Sequence, residues 1–190
     1  MRIHIKNMVC PRCIMAVREI LTESGLHPVS VELGVAEIEE DELTKEQDTK
    51  LNQRLQEMGF ERIEDRNKQM VDKIKTLIIQ KIHHDRLQQG FNWSKWITDN
   101  VYHDYRFLSH LFSGLEGITI EQFIIKQKIE KVKELIAYRQ MNFSEIAYAL
   151  GYSSPAHMTN QFRKITGMTP GEFKKLRNPG RKTIDKINEE

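Results

Sequence analysis
The chain has 190 residues, 39% of them hydrophobic and 29% charged, and a formal net charge of +2, which gives room for two small domains of ordinary globular composition. No stretch approaches the roughly 18 apolar residues of a membrane span, and the N-terminus lacks the apolar core and cleavage site of a signal peptide. With Cys10 and Cys13 as the only cysteines, a disulfide framework and a four-cysteine zinc site are excluded, so the expected location is the cytoplasm.

The net charge hides a split. Up to Arg66 there are nine Lys and Arg against fourteen Asp and Glu, a net of −5; the remainder carries twenty against thirteen, a net of +7. Such asymmetry points to nucleic acid as the partner of the basic part, because neutralising phosphates supplies most non-specific binding energy.

In chain order, Ile3 and Ile5 alternate with Arg2, His4 and Lys6 as in a half-buried strand. A helix starts near Arg12, with Ile14, Val17 and Leu21 on one face. Val29, Val31 and Leu33, then Gly34, then Ala36 and Ile38 predict two hairpin-linked strands. Thr44 and Gln47 cap a second helix with the stripe Leu51, Leu55 and Met58; Gly59 ends it, and Phe60 and Ile63 predict a last strand. The order over residues 1–66 is βαββαβ, an α+β ferredoxin-like sandwich.

Between the first strand and first helix lies Met8-Val9-Cys10-Pro11-Arg12-Cys13. Two thiolates at this spacing can reach one soft ion, and a helix N-terminus favours their negative charge. This M-x-C-x-x-C run, with Gly59-Phe60 before the last strand, resembles the heavy-metal-associated domains of copper chaperones and metal-pumping ATPases. The resemblance implies Cys10 and Cys13 as ligands, for Cu(I) first and Zn(II) or another thiophilic ion second, with Met8 as a core anchor. A redox dithiol and a ligand-free domain retained for oligomerisation are the alternatives.

Residues 67–90 form a linker: Val71, Ile74, Leu77, Ile78 and Ile82 trace an amphipathic helix to about Arg86. His83-His84-Asp85 is expected to be a solvated helix end, and Gln88-Gln89-Gly90 a break.

From Asn92 the chain repeats itself at an offset of fifty residues: Asn92-Trp93-Ser94 answers Asn142-Phe143-Ser144, Ile97 answers Ala147, Tyr102 answers Tyr152, Phe112 answers Phe162 and Gly117 answers Gly167. A fixed period marks a duplicated supersecondary unit. In the second copy Phe143, Ile146, Ala147 and Leu150 make a helical stripe ended by Gly151; Ser154 and Pro155 start another helix whose stripe is Met158, Phe162 and Ile165. Ala156, His157, Asn160, Arg163 and Lys164 then project from the opposite side, a small, polar and basic face suited to base edges and phosphates. In the first copy Arg106, Ser109, His110 and Ser113 occupy the corresponding face. Val101 stands where the second copy has Gly151, so the first turn must be built differently.

Thr119 and Gln122 cap a connecting helix running to about Tyr138, and Thr169-Pro170-Gly171-Glu172 opens a last helix. The segment Glu145-Ile-Ala-Tyr-Ala-Leu-Gly-Tyr-Ser-Ser, followed by Asn160-Gln-Phe-Arg-Lys-Ile-Thr-Gly-Met-Thr-Pro170, resembles the DNA-binding domain of the AraC/XylS regulators. The resemblance implies an all-α tandem helix-turn-helix domain over 91–178, followed by a tail at 179–190, with the two recognition helices entering successive major-groove segments. The expected function is non-enzymatic: a transcriptional regulator controlled by a thiophilic metal or redox signal. Its partner is double-stranded DNA, with RNA polymerase and a second copy of the chain as further candidates. A metallochaperone or thiol-redox protein with an accessory helical domain is the competing reading.

Overall fold
A computed structural model describes residues 1–176, so the tail expected at 179–190 and the last two residues of the 91–178 domain lie outside the described residues. The chain divides into two compact units, one up to Leu77 and one from Ile78 onward.

The first unit contains β1 (Arg2–Lys6), α1 (Pro11–Glu23), β2 (Pro28–Glu32), β3 (Val35–Ile38), α2 (Lys45–Glu57), the two-residue β4 (Glu61–Arg62) and the start of α3 (Arg66–His83). The strands form one sheet in the order β2-β3-β1-β4, every pair antiparallel. Register follows the alternation in the sequence: Ile3 lies opposite Ala36, which also faces Val31. These residues, with Ile5 and Ile38, form the buried core together with Val17, Ile20 and Leu21 of α1 and Leu51 and Leu55 of α2. Gly34 closes the β2–β3 hairpin at φ 88°, a conformation that costs glycine nothing. Met8 is fully buried beneath the cysteine loop.

The second unit holds the end of α3, then α4 (Trp93–Val101), α5 (Tyr105–Glu116), α6 (Ile120–Tyr138), α7 (Phe143–Ala149), α8 (Pro155–Thr166) and α9 (Pro170–Lys175). The duplication extends over three helices per copy. Capping boxes recur at Thr119/Gln122 and Thr169/Glu172. Phe112 of α5 packs edge-on against Phe123 of α6 at 5.6 Å, as Phe162 of α8 does against Phe173 of α9 at 5.5 Å. Each recognition helix is thus fixed by one aromatic pair to the helix that follows it, a contact worth roughly 0.5–1.5 kcal/mol beyond burial.

Three details differ from expectation, and a fourth, the differently built first turn, agrees with it. The linker helix ends at His83 rather than near Arg86, and the division between the units falls inside it. His83 is no solvated end: its side chain is 5% exposed and its Nε2 lies 3.1 Å from Gln127 Oε1 on α6. Val101 completes α4 as a buried helical residue, and the left-handed position passes to Tyr102 at φ 61°. The paired tyrosines consequently have opposite fates, Tyr102 being 83% exposed and Tyr152 2%. Finally, Ile165 is exposed, as is Leu115 fifty residues earlier, because burial along both recognition helices ends at Phe112 and Phe162, one turn before the helices do.

The end of α3 and the residues after it are tied to α4, α6 and α7. Lys81 Nζ sits 5.3 Å from the Phe91 ring and 5.9 Å from Trp96, at cation–π distance. His83 meets α6, and Leu87 donates its N–H to Ala149 O at 3.2 Å, forming a short parallel bridge with Leu150.

Candidate nucleic-acid interface
Both recognition helices are built alike, from the N-terminus inward. In α5, Asp104 accepts from the N–H groups of Arg106 and Phe107; in α8, Ser154 Oγ accepts from the N–H of His157 and Pro155 occupies the first turn. Each cap satisfies donors that the helix itself cannot. Gly117 and Gly167 end the helices in left-handed geometry at φ 69° and 78°. Leu108 and Phe112, and Met158 and Phe162, turn inward, which fixes what faces out.

On α8 the outward residues are Ala156, His157, Asn160, Arg163 and Lys164, all exposed. Arg163 and Lys164 occupy the last turn, where the helix dipole favours cations. On α5 Arg106 and His110 are exposed, whereas Ser109 and Ser113 are half-buried. Ser113 Oγ donates to Ser109 O within the helix at 2.8 Å, so its hydroxyl proton is already committed. The first head therefore offers less polar surface than its sequence alone implied.

Three residues around the second head were not among the site residues expected from the sequence. Tyr152 lies buried between the helices and its hydroxyl donates to Gln161 Oε1 at 2.8 Å; burial pushes its phenol pKa upward. Lys128 of α6 places Nζ 5.0 Å from the Tyr152 ring, and burial pushes its pKa down to about 8. Ser153 Oγ lies 3.0 Å from His157 Nδ1. On the first head, Tyr105 donates to Glu121 Oε1 at 2.6 Å, joining the start of α5 to α6. These contacts depend on how the two helices meet, which periodicity does not encode.

The connecting helix α6 has 19 residues, about 28 Å at 1.5 Å per residue. One turn of B-DNA is roughly 34 Å, the distance between half-sites read by paired recognition helices.

In the first unit, Cys10 immediately precedes α1 without a side-chain capping bond and Cys13 lies in the first turn, with Sγ atoms 3.5 Å apart. Burial opposes ionisation of Cys10, but hydrogen bonding from Cys13 and Arg12 and the Arg12 charge hold its pKa below the usual thiol value. Cys13 is pushed up, first by burial and then by its neighbour. The pair suits a soft ion taking two thiolates. No group of three or more His, Cys, Asp or Glu able to hold a metal occurs among the described residues.

A helix-turn-helix domain family model matches residues 101–176. The probable transcriptional regulator LumQ of Photobacterium leiognathi is 35% identical over 63 residues, covering 33% of this chain and 25% of that protein. The uncharacterized HTH-type transcriptional regulator YfiF of Bacillus subtilis is 31% identical over 112 residues, covering 57% and 34%. This chain thus spans between a quarter and about a third of the length of these curated relatives. Among solved structures, the C-terminal domain of AraT, a response regulator from Geobacillus stearothermophilus, superposes with a TM-score of 0.52 at 20% identity, covering 63% of this chain and 94% of that one. That likeness speaks for the fold. Residues 101–176 of the chain thus resemble a helix-turn-helix domain in sequence and in fold.

Proposed function
We propose that the protein is a sequence-specific DNA-binding transcriptional regulator that acts in the cytoplasm without catalysing a reaction. The observation that carries this reading is the duplicated, capped recognition helix with an exposed polar face, set at both ends of a helix about one DNA turn long. The basic balance of the second part supports it, as do relatives whose names describe transcriptional regulators. The second head, with Asn160 exposed to read a base and Arg163 exposed to hold phosphate, is the base reader; the first chiefly positions the protein on the backbone. Selection from a randomised duplex library, with excess non-specific DNA as competitor at fixed salt, tests this. Enrichment of a defined site supports the reading, and failure to enrich any site contradicts it.

We further propose that the first unit is a ferredoxin-like, heavy-metal-associated type of domain and senses a thiophilic metal, foremost Cu(I), or a redox signal through Cys10 and Cys13. The close thiol pair at the start of α1 supports this. Because α3 begins in the first unit and ends in the second, ligation that alters packing against its first half biases operator binding; coupling requires such a differential contact. DNA affinity at fixed salt is then expected to differ between reduced apo protein and Cu(I)-loaded protein, with Cys10→Ser/Cys13→Ser insensitive to the metal. Equal affinity in all three removes the coupling. The same thiol pair supports the rival reading of a metallochaperone or thiol-redox protein, which predicts metal transfer or dithiol turnover and no sequence-selective duplex binding.

A further inference from the structure
Phe107 and His157 are fifty residues apart and each is the third residue of its recognition helix, on the first turn, where such helices meet base edges. Both are exposed. Their chemistry is opposite. The His157 ring is held at two points: Nδ1 lies 3.0 Å from Ser153 Oγ, and the ring stands at 88° to the buried Tyr152 ring with centroids 5.4 Å apart. Tyr152 is in turn locked to Gln161. In the tautomer in which the Ser153 hydroxyl donates into Nδ1, the ring proton resides on Nε2 and makes it an N–H donor.

In the first head, His103 replaces Ser153 and Phe107 replaces His157. The Phe107 ring is 47% exposed and rests against His103 with centroids 5.6 Å apart at 42°. It presents only carbon. Exposing an aromatic ring beside Arg106 and His110 loses hydrophobic burial unless a partner covers it. The major groove offers one apolar group per A·T pair, the thymine methyl, while guanine offers the acceptors N7 and O6.

We propose that positions 107 and 157 give the two heads different specificities: His157 Nε2 donates to guanine in the second half-site, and Phe107 covers a thymine methyl in the first. Ser153 and Tyr152 are positioning residues for His157. This rests on the DNA-reading function proposed above and deepens it. It also makes the inequality of the heads quantitative, since one methyl group is worth about fourfold in affinity, whereas a good polar base contact is worth more.

The test uses the full chain and the duplex it selects. Replacing thymines of the first half-site one at a time by dU removes only the methyl; at one position wild type is expected to weaken about fourfold, and Phe107→Ala to show no further loss there. His157→Phe is expected to exchange a guanine preference for thymine in the second half-site, and Phe107→His to do the reverse in the first. Ser153→Ala is expected to blunt the guanine preference at that one base pair while leaving thermal stability unchanged. An enriched site insensitive to dU throughout its first half-site, or a His157→Phe protein that keeps the guanine preference, overturns this proposal alone. Enrichment of no site by wild type overturns it together with the regulator reading.

Discussion
Arg163 and Asn160 both lie exposed on α8, but their chemistry separates their roles. A guanidinium in the last turn suits phosphate, whereas a side-chain amide pairs with adenine N6 and N7. Arg163→Ala should weaken binding to all duplexes and flatten the salt dependence; Asn160→Ala should relax preference at one base pair, roughly 1–3 kcal/mol of discrimination. Equal loss on every sequence for both variants contradicts the assignment. Glycines supply a second residue-scale prediction. Gly151 and Gly167 both hold positive φ, but a Cβ at Gly151 would lie 2.9 Å from Gln88 O, and at Gly167 it would meet nothing. Gly167→Ala should therefore cost about 1 kcal/mol, the left-handed strain alone. Gly151→Ala should cost clearly more, because the backbone at Gln88 must move. Equal losses in denaturant melts would mean that the 87–88 contact contributes nothing.

At the scale of elements, much was legible because it rests on local rules. The capping boxes at Thr44, Thr119 and Thr169 appear where their residues predict them, and the order β-α-β-β-α-β is the one read from alternation and stripes. Whatever depends on a distant partner was not legible. The polar face of α6 buries Gln127 and Glu130 and receives His83, so its amphipathic pattern hides a second contact surface. Lys128 belongs to the same class and yields a pH prediction. Its folded pKa of about 8 lies below the ordinary lysine value of 10.5, so between these values the unfolded chain holds a proton that the folded one has lost. Stability should rise with pH from about 8, by on the order of 2–3 kcal/mol up to pH 10. Tyr152, whose pKa is raised by burial, acts oppositely once the unfolded phenol ionises near pH 10, so the gain is confined to about pH 8–10. Urea melts should show the rise in wild type and a flat profile in Lys128→Met; a rise in both would place its origin elsewhere.

At the scale of the whole molecule, the charge split and the fifty-residue repeat carry the functional reading, and both are visible without coordinates. The structure deepened the inequality of the copies: Tyr102 outside and Tyr152 inside, the Ser113 hydroxyl committed and Asn160 exposed. It also showed that the second unit starts within α3 and includes residues set apart as linker in the sequence. On the proposed function, two heads joined by a helix about 28 Å long are expected to engage one duplex together, on the same side and about one turn apart. The most direct measurement is the sequence logo and hydroxyl-radical footprint of the duplex selected by the full chain. Two unlike half-sites centred about 10 base pairs apart, the one under the second head the more sharply defined, is the predicted result; a single short half-site, or protection without any enriched sequence, would contradict it.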